Sequence, residues 1–304
     1  MKFSPILALV LFIGWAQAHA QTQNPIQEKS WADAGPEPIR AEIILDRPNQ
    51  IFAAPPAPER PESSPSSPPL ATDDPGTPGP NGYEINMIVN CDKASGSRSC
   101  ESGIDVAYGI GERVQIRISK GYVQSRESGS PELNGYGATD IGVKYRFFDS
   151  NGLQLAIFPS FKLDDASRQV GPDGVTLESE GRSIYLPLIV SKDIGRYTVV
   201  SNVAYRKNLD HSENNTVFTS AAIGTAISPT SRLMAEVASE RNVSDGSRRT
   251  DVRIGWVKVI FPDASSKYQT SFFASLGRSV GKTDDGKTHL TLLGGLSIAK
   301  KPRN

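Results

Sequence analysis

Past its first twenty residues the sequence lacks any apolar run of the roughly 20 residues that a helix needs to cross a bilayer. It also lacks an excess of either charge. Its 33 basic and 33 acidic residues cancel, which removes the bulk electrostatic argument for nucleic acid or for an anionic membrane surface. Cysteine is scarce: only Cys91 and Cys100 occur. With no third or fourth ligand nearby they do not read as a metal site, and no metal or other cofactor is expected. In an exported chain such a close pair reads as a local disulfide. Histidine is scarce too: two remain past the first twenty residues, His211 and His289. His211 lies beside Asp210, Ser212 and Glu213 in "NLDHSENN". A Ser–His–acid triad, however, needs groups that the fold presents to one another, so a solvated loop histidine is the better reading. The chain is not expected to be an enzyme.

What is present begins with Met1-Lys2, an apolar run over 6–15, and the small residues Ala16-Gln17-Ala18-His19-Ala20. This is the pattern of a secretory signal peptide over 1–20. Proline then marks the next boundary, because 14 of the 22 prolines fall within 21–80. That composition argues for an extended, mostly disordered linker in the periplasm. Within it, Ile39–Phe52 is the only apolar patch, and its role stays open. From 81 to 304 the pattern changes to strands.

Twelve candidate strands recur at 82–90, 103–109, 114–123, 137–148, 153–162, 182–191, 196–207, 215–227, 231–241, 250–261, 267–278 and 288–299. Most exceed the five or six residues usual for a soluble strand and suit a tilted membrane-crossing one. The links after even-numbered strands are short, such as "GIGER", "DSNG" and "SPT". Those after odd-numbered strands are mostly longer and polar, such as "CDKASGSRSCES" and "QSRESGSPELNGYGA". This sorting is the rule of outer-membrane barrels, with short turns in the periplasm and long loops outside. The expected fold is therefore all-β: an antiparallel, up-and-down transmembrane β-barrel of about 12 strands in the outer membrane, carrying its proline-rich N-terminal arm in the periplasm.

Parity then assigns faces. In "DIGVKYRFF", Ile141, Val143, Tyr145 and Phe147 share one side, and Gly142, Lys144 and Arg146 share the other. If the apolar side meets lipid, the charged side meets the lumen. The candidate lumen residues are Glu84, Asp105, Arg117, Lys144, Arg146, Glu236, Glu240 and Arg253. Glu84, Asp105, Arg117 and Lys144 sit at similar heights and suggest a ladder across neighbouring strands, with Glu240 opposite Arg253 higher up. Inward Phe158, Tyr185, Ile189 and Phe273 would narrow the lumen, which excludes a wide general porin. Tyr83, Tyr108, Phe147, Tyr197, Phe261 and Tyr268 gather near one set of strand ends, as interfacial aromatics do.

Three stretches, "TDDPGTPGPNGYEINM", "YGIGERVQIRIS" and "GYGATDIGVKYRFFD", together resemble the outer-membrane proteins grouped with the meta-pathway phenol-degradation family. The resemblance spans roughly 72–299. It implies a twelve-stranded-type barrel that moves small, often hydrophobic molecules, and it supplies no catalytic residues. The expected function is narrow or gated passage of small molecules, hydrophobic or aromatic solutes among them. The alternatives are a non-conducting structural or interaction barrel and, more weakly, a surface hydrolase. The implied partners are outer-membrane lipid, the barrel assembly machinery, a small-molecule permeant and a periplasmic partner of the N-terminal arm, with no nucleic acid.

Overall fold

The computed structural model describes residues 68–300 except 171–174, 178–180, 212–213, 263–265, 282 and 284. The expected signal peptide and the Ile39–Phe52 patch lie outside the described residues.

The chain forms a closed antiparallel barrel. Its staves are β1 (Tyr83–Ala94), β2 (Ser97–Ile110), β3 (Val114–Glu127), β5 (Asp140–Ser150), β6 (Leu153–Ile157) continued by β7 (Ser160–Lys162), β10 (Ser183–Ile194), β11 (Tyr197–Asn208), β12 (Thr216–Ser228), β13 (Ser231–Asn242), β14 (Arg248–Val259), β15 (Tyr268–Ser279) and β16 (Leu290–Lys300). β16 returns to β1, Tyr83 facing Lys300 and Lys93 facing Leu290, so no sheet edge is left open along the wall. Counting β6 and β7 as one stave gives the twelve expected. Three short strands, β4 (Leu133–Tyr136), β8 (Ser167–Val170) and β9 (Val175–Leu177), extend the sheet beyond the wall at the end that carries the long loops.

The barrel is inside out relative to a soluble one. In β5, Ile141, Val143, Tyr145 and Phe147 are exposed while Gly142, Lys144 and Arg146 are buried. In β13, Leu233 and Val237 point outward while Met234, Glu236 and Ala238 are buried. The outer face gathers Ile104, Ile254, Leu276 and Leu292, each more than half exposed. A soluble monomer does not display an apolar surface on that scale; a barrel in hydrocarbon requires one.

Local chemistry sets the turns. Asn151 and Gly152 both have positive φ, 51° and 70°, which is the two-residue hairpin turn that twists with its strands. β6 and β7 are separated at Phe158-Pro159, where Pro159 has no N–H to give a neighbouring strand. Phe158 turns inward there and joins Ala156, Ile189 and Val200 in a small apolar cluster inside the barrel.

Two sequence expectations change. The first link, expected as a long loop from Cys91 onward, is instead a regular hairpin. β1 and β2 stay paired out to Ala94 and Ser97, because strands that rise past the membrane need no apolar face to continue. Cys91 and Cys100 are directly paired across it, with Cα atoms 4.1 Å apart, and form the disulfide. The second change concerns residues 68–80, placed by composition in the linker. They lie inside the barrel.

Candidate functional site

The segment Pro68–Pro80 is held in the half of the lumen nearest the short turns. At its C-terminal end the Asn81 N–H donates to the Gly109 carbonyl at 3.2 Å, and Thr77 Oγ1 donates to the Glu112 carbonyl in the β2–β3 turn at 3.0 Å. The approach is so close that a Cβ on Gly109 would lie 1.9 Å from the Gly79 oxygen. Only glycine fits there.

Deeper in, the segment becomes polar and buried. Lys144 Nζ donates to Asp73 Oδ1 at 2.9 Å and to the Asp74 carbonyl at 2.7 Å. Arg117 reaches Asp73 at 3.3 Å and Asp105 at 3.4 Å. The Phe158 ring lies beneath both cations, 4.1 Å from the Arg117 guanidinium carbon and 4.9 Å from Lys144 Nζ. Asp73 and Asn202 exchange hydrogen bonds: the Asp73 N–H donates to Asn202 Oδ1 at 2.7 Å, and Asn202 Nδ2 donates to the Asp73 carbonyl at 2.9 Å. On the far wall Glu236 receives the N–H of Ala71, the N–H of Thr72 and the Thr72 hydroxyl. The same hydroxyl lies 2.9 Å from Ser220 Oγ. Leu70 then packs with Ala222, Met234, Val257 and Phe273, close to Gly255, where a Cβ would come within 3.0 Å of the leucine. Ser275 Oγ donates to the Pro69 carbonyl at 2.9 Å.

The chemistry of this seat is specific. A buried lysine needs a charged partner, and the aspartates of "TDDPG" supply it. Prolines without N–H groups thread the lumen with fewer backbone donors to satisfy.

The sequence-derived lumen candidates take the following places. Lys144, Arg146 and Glu236 are under 10% exposed. Arg146 pairs with Asp149 at 3.4 Å and donates to the Glu112 carbonyl at 3.0 Å. Glu84 accepts from Asn86 at 3.1 Å, and Asp105 pairs with Arg117, so only those two members of the proposed four-residue ladder touch. Arg253 pairs with Glu236 at 3.3 Å and Asp251 at 3.5 Å. The expected Glu240–Arg253 pair does not form. The register sets Glu236 against Arg253 and Glu240 against Arg249, and Glu240 accepts from Thr216 at 2.8 Å. The partners on Pro68–Pro80 were missed altogether. The signal that could have found them was "TDD", two carboxylates beside a barrel whose lumen candidates include four cations.

Above the segment, towards the long loops, the lumen opens into two adjoining cavities of about 280 and 320 Å³. Ala71 forms part of the floor of the first, and Lys162, Ser183, Arg206 and Glu240 line both. At the rim, His289 is clamped between carboxylates, Nδ1 2.6 Å from Asp92 and Nε2 2.9 Å from Asp285, with Arg249 also on Asp92. His211 lies in the loop after β11, its N–H donating to Asn208 Oδ1 at 2.7 Å; Ser212 and Glu213 lie outside the described residues. No helix among the described residues is long and apolar enough to cross a membrane, and no metal-binding cluster occurs among them.

No protein-family model matches the sequence, and no curated protein matches it. Among solved structures the barrel is similar to an outer membrane channel from Pseudomonas putida F1, with TM-score 0.51 and 11% identity over 72% of this chain and 92% of that one. It is also similar to the CymD monoaromatic hydrocarbon channel (TM-score 0.42, 9% identity, 74% and 90% covered) and to the NanC porin (TM-score 0.46, 11% identity, 70% and 98% covered). At these identities the first likeness establishes a shared fold, and the other two lie below the level at which a likeness carries argument.

Proposed function

We propose that this chain is an outer-membrane channel for small molecules, closed in the state described by its own residues 68–80. The observation that carries the reading is the contrast between the two halves of one lumen. The half at the short-turn end is filled by a segment seated on buried charges, while the other half keeps polar, cation-lined space. A barrel serving only as an anchor needs no such space. On this reading the short-turn end faces the periplasm, from which the arm enters, and the long loops face outside. Residues 21–67 would form the periplasmic arm proper, available to a periplasmic partner, and 1–20 the export signal. The resemblance to the meta-pathway phenol-degradation group fits the same role and favours small aromatic permeants.

The non-conducting barrel is the second reading, favoured by how completely Leu70 and the Phe273 cluster fill their end. Planar-bilayer recording separates the two. A channel closed by Asp73 gives brief openings in wild type and a several-fold higher open fraction in Asp73→Asn, where Lys144 and Arg117 lose their shared carboxylate. Silence from both proteins at high protein load would support the structural barrel.

A further inference from the structure

We propose that the two cavities form a receptor vestibule for a small aromatic carboxylate, whose carboxylate competes with Asp73 for Arg117 and so loosens the 68–80 segment. The proposal rests on the reading of the barrel as a small-molecule channel, and it names the ligand class and the trigger.

Arg206 is the first observation. It stands directly opposite Tyr185 in the β10–β11 register, and its guanidinium lies 5.2 Å from the centre of that ring. Arg117, Arg146, Arg249 and Arg253 each have a carboxylate partner. Arg206 has no ion pair among the described residues, and its buried Nε has no hydrogen-bond partner. The Arg206 side chain lines both cavities without a carboxylate partner, and a guanidinium so placed favours a planar, two-oxygen anion. A neutral hydrocarbon in the same place would leave that charge without a counter-ion.

Ring recognition and size come from the same walls. Tyr185 and Phe218 offer aromatic surface, and Ser119, Ser160 and Ser183 offer hydroxyls. Volumes of about 280 and 320 Å³ sit at the lower limit of small-molecule sites. They suit a single substituted ring rather than an oligosaccharide or a long acyl chain. The acids in the lining already accept hydrogen bonds from wall hydroxyls, Asp140 from Ser160 and Glu240 from Thr216. Those hydrogen bonds offset part of the repulsion that Asp140 and Glu240 exert on an incoming anion.

The trigger follows from the shared position of Arg117. It lines the first cavity and also holds the segment. Its contact with Asp73 is 3.3 Å against 2.9 Å for Lys144, so it is the looser of the two ties. Phe158 supports its guanidinium from one side, which leaves the group free to exchange one carboxylate for another. A ligand carboxylate spanning Arg206 and Arg117 would replace Asp73 at the second, directly above Ala71 in the floor.

The test uses the purified full chain in detergent, titrated calorimetrically with benzoate and with benzamide, its neutral near-isostere. The expected result is saturable benzoate binding with benzamide weaker by about tenfold or more, a charged hydrogen bond's worth. Arg206→Gln should weaken benzoate by a similar factor. Asp73→Asn, which removes the internal competitor, should strengthen it. In bilayers, benzoate and not benzamide should raise the open fraction of wild type. Heat-modifiable migration confirms that each variant is a closed barrel, and the benzoate–benzamide comparison in wild type needs no variant at all. Equal binding of the two probes, or a benzoate affinity indifferent to Arg206→Gln, would overturn the vestibule. An affinity unchanged by Asp73→Asn would overturn the competition with the segment. A protein that conducts without binding benzoate refutes this proposal alone. One that binds benzoate and never conducts refutes the channel, and the trigger with it, but keeps the receptor site.

Discussion

At the scale of single residues, parity speaks to the side of a strand that a charge takes and is silent on its partner. Val143 and Tyr145 flank Lys144, so placing the apolar pair in lipid sends the lysine inward. The opposite choice would cost roughly 2–4 kcal/mol near the midplane. Nothing in β5 says that its counter-ion sits 71 residues upstream. The Glu240–Arg253 error has the same origin. A strand paired four residues out of register keeps every side chain on its correct face, because the side-chain period is two, and so parity cannot detect it. The rim histidine offers a test at this scale. Burial pushes the His289 pKa down, but hydrogen bonds to Asp92 and Asp285 outweigh it and raise it above the ordinary 6.5. A raised pKa means that the charged clamp contributes its full stability below about pH 6.5 and loses it as pH rises through the raised value. The expected outcome is an imidazole NMR titration displaced to higher pH. Proteolysis of the 280–289 loop should also quicken on the alkaline side, and His289→Gln should remove that pH dependence. A titration at or below 6.5 would refute the clamp.

At the scale of elements, all twelve strands of the wall were legible from alternation and length. The parts missed were those where membrane logic stops applying. β4, β8 and β9 are three or four residues long and lie beyond the wall, where neither strand length nor an apolar face is imposed by lipid. The upper β1–β2 hairpin reads as a loop because Asp92, Lys93 and Arg98 are polar, yet backbone pairing carries it to its tip. The disulfide sits inside that hairpin and closes a short stretch, with a sequence separation of 9, so it should add no more than roughly 2–3 kcal/mol and act locally. The Cys91→Ser, Cys100→Ser double variant is expected to keep wild-type heat-modifiable migration while its hairpin tip is nicked faster by protease. An unfolded band in the unboiled sample would show that the bond supports the whole barrel.

At the scale of the molecule, the barrel is a closed wall around a lumen that its own chain half fills. Composition could not reveal this. Proline-rich sequence is unable to build a core of its own, and that property also suits residues 68–80 to lying extended against a core built by others. In the proposed channel this segment blocks the conducting path, and Thr72 allows that to be tested directly. Its hydroxyl lies 2.9 Å from that of Ser220 on β12, close enough for a cysteine pair at the two positions to bond. Single-channel recording of Thr72→Cys, Ser220→Cys should show no openings while the engineered bond is oxidised. Wild-type openings should return after reduction, and each single variant should conduct throughout. Equal current from the oxidised and reduced double variant would show that the segment is no plug, because the path would then run past a segment fixed in place.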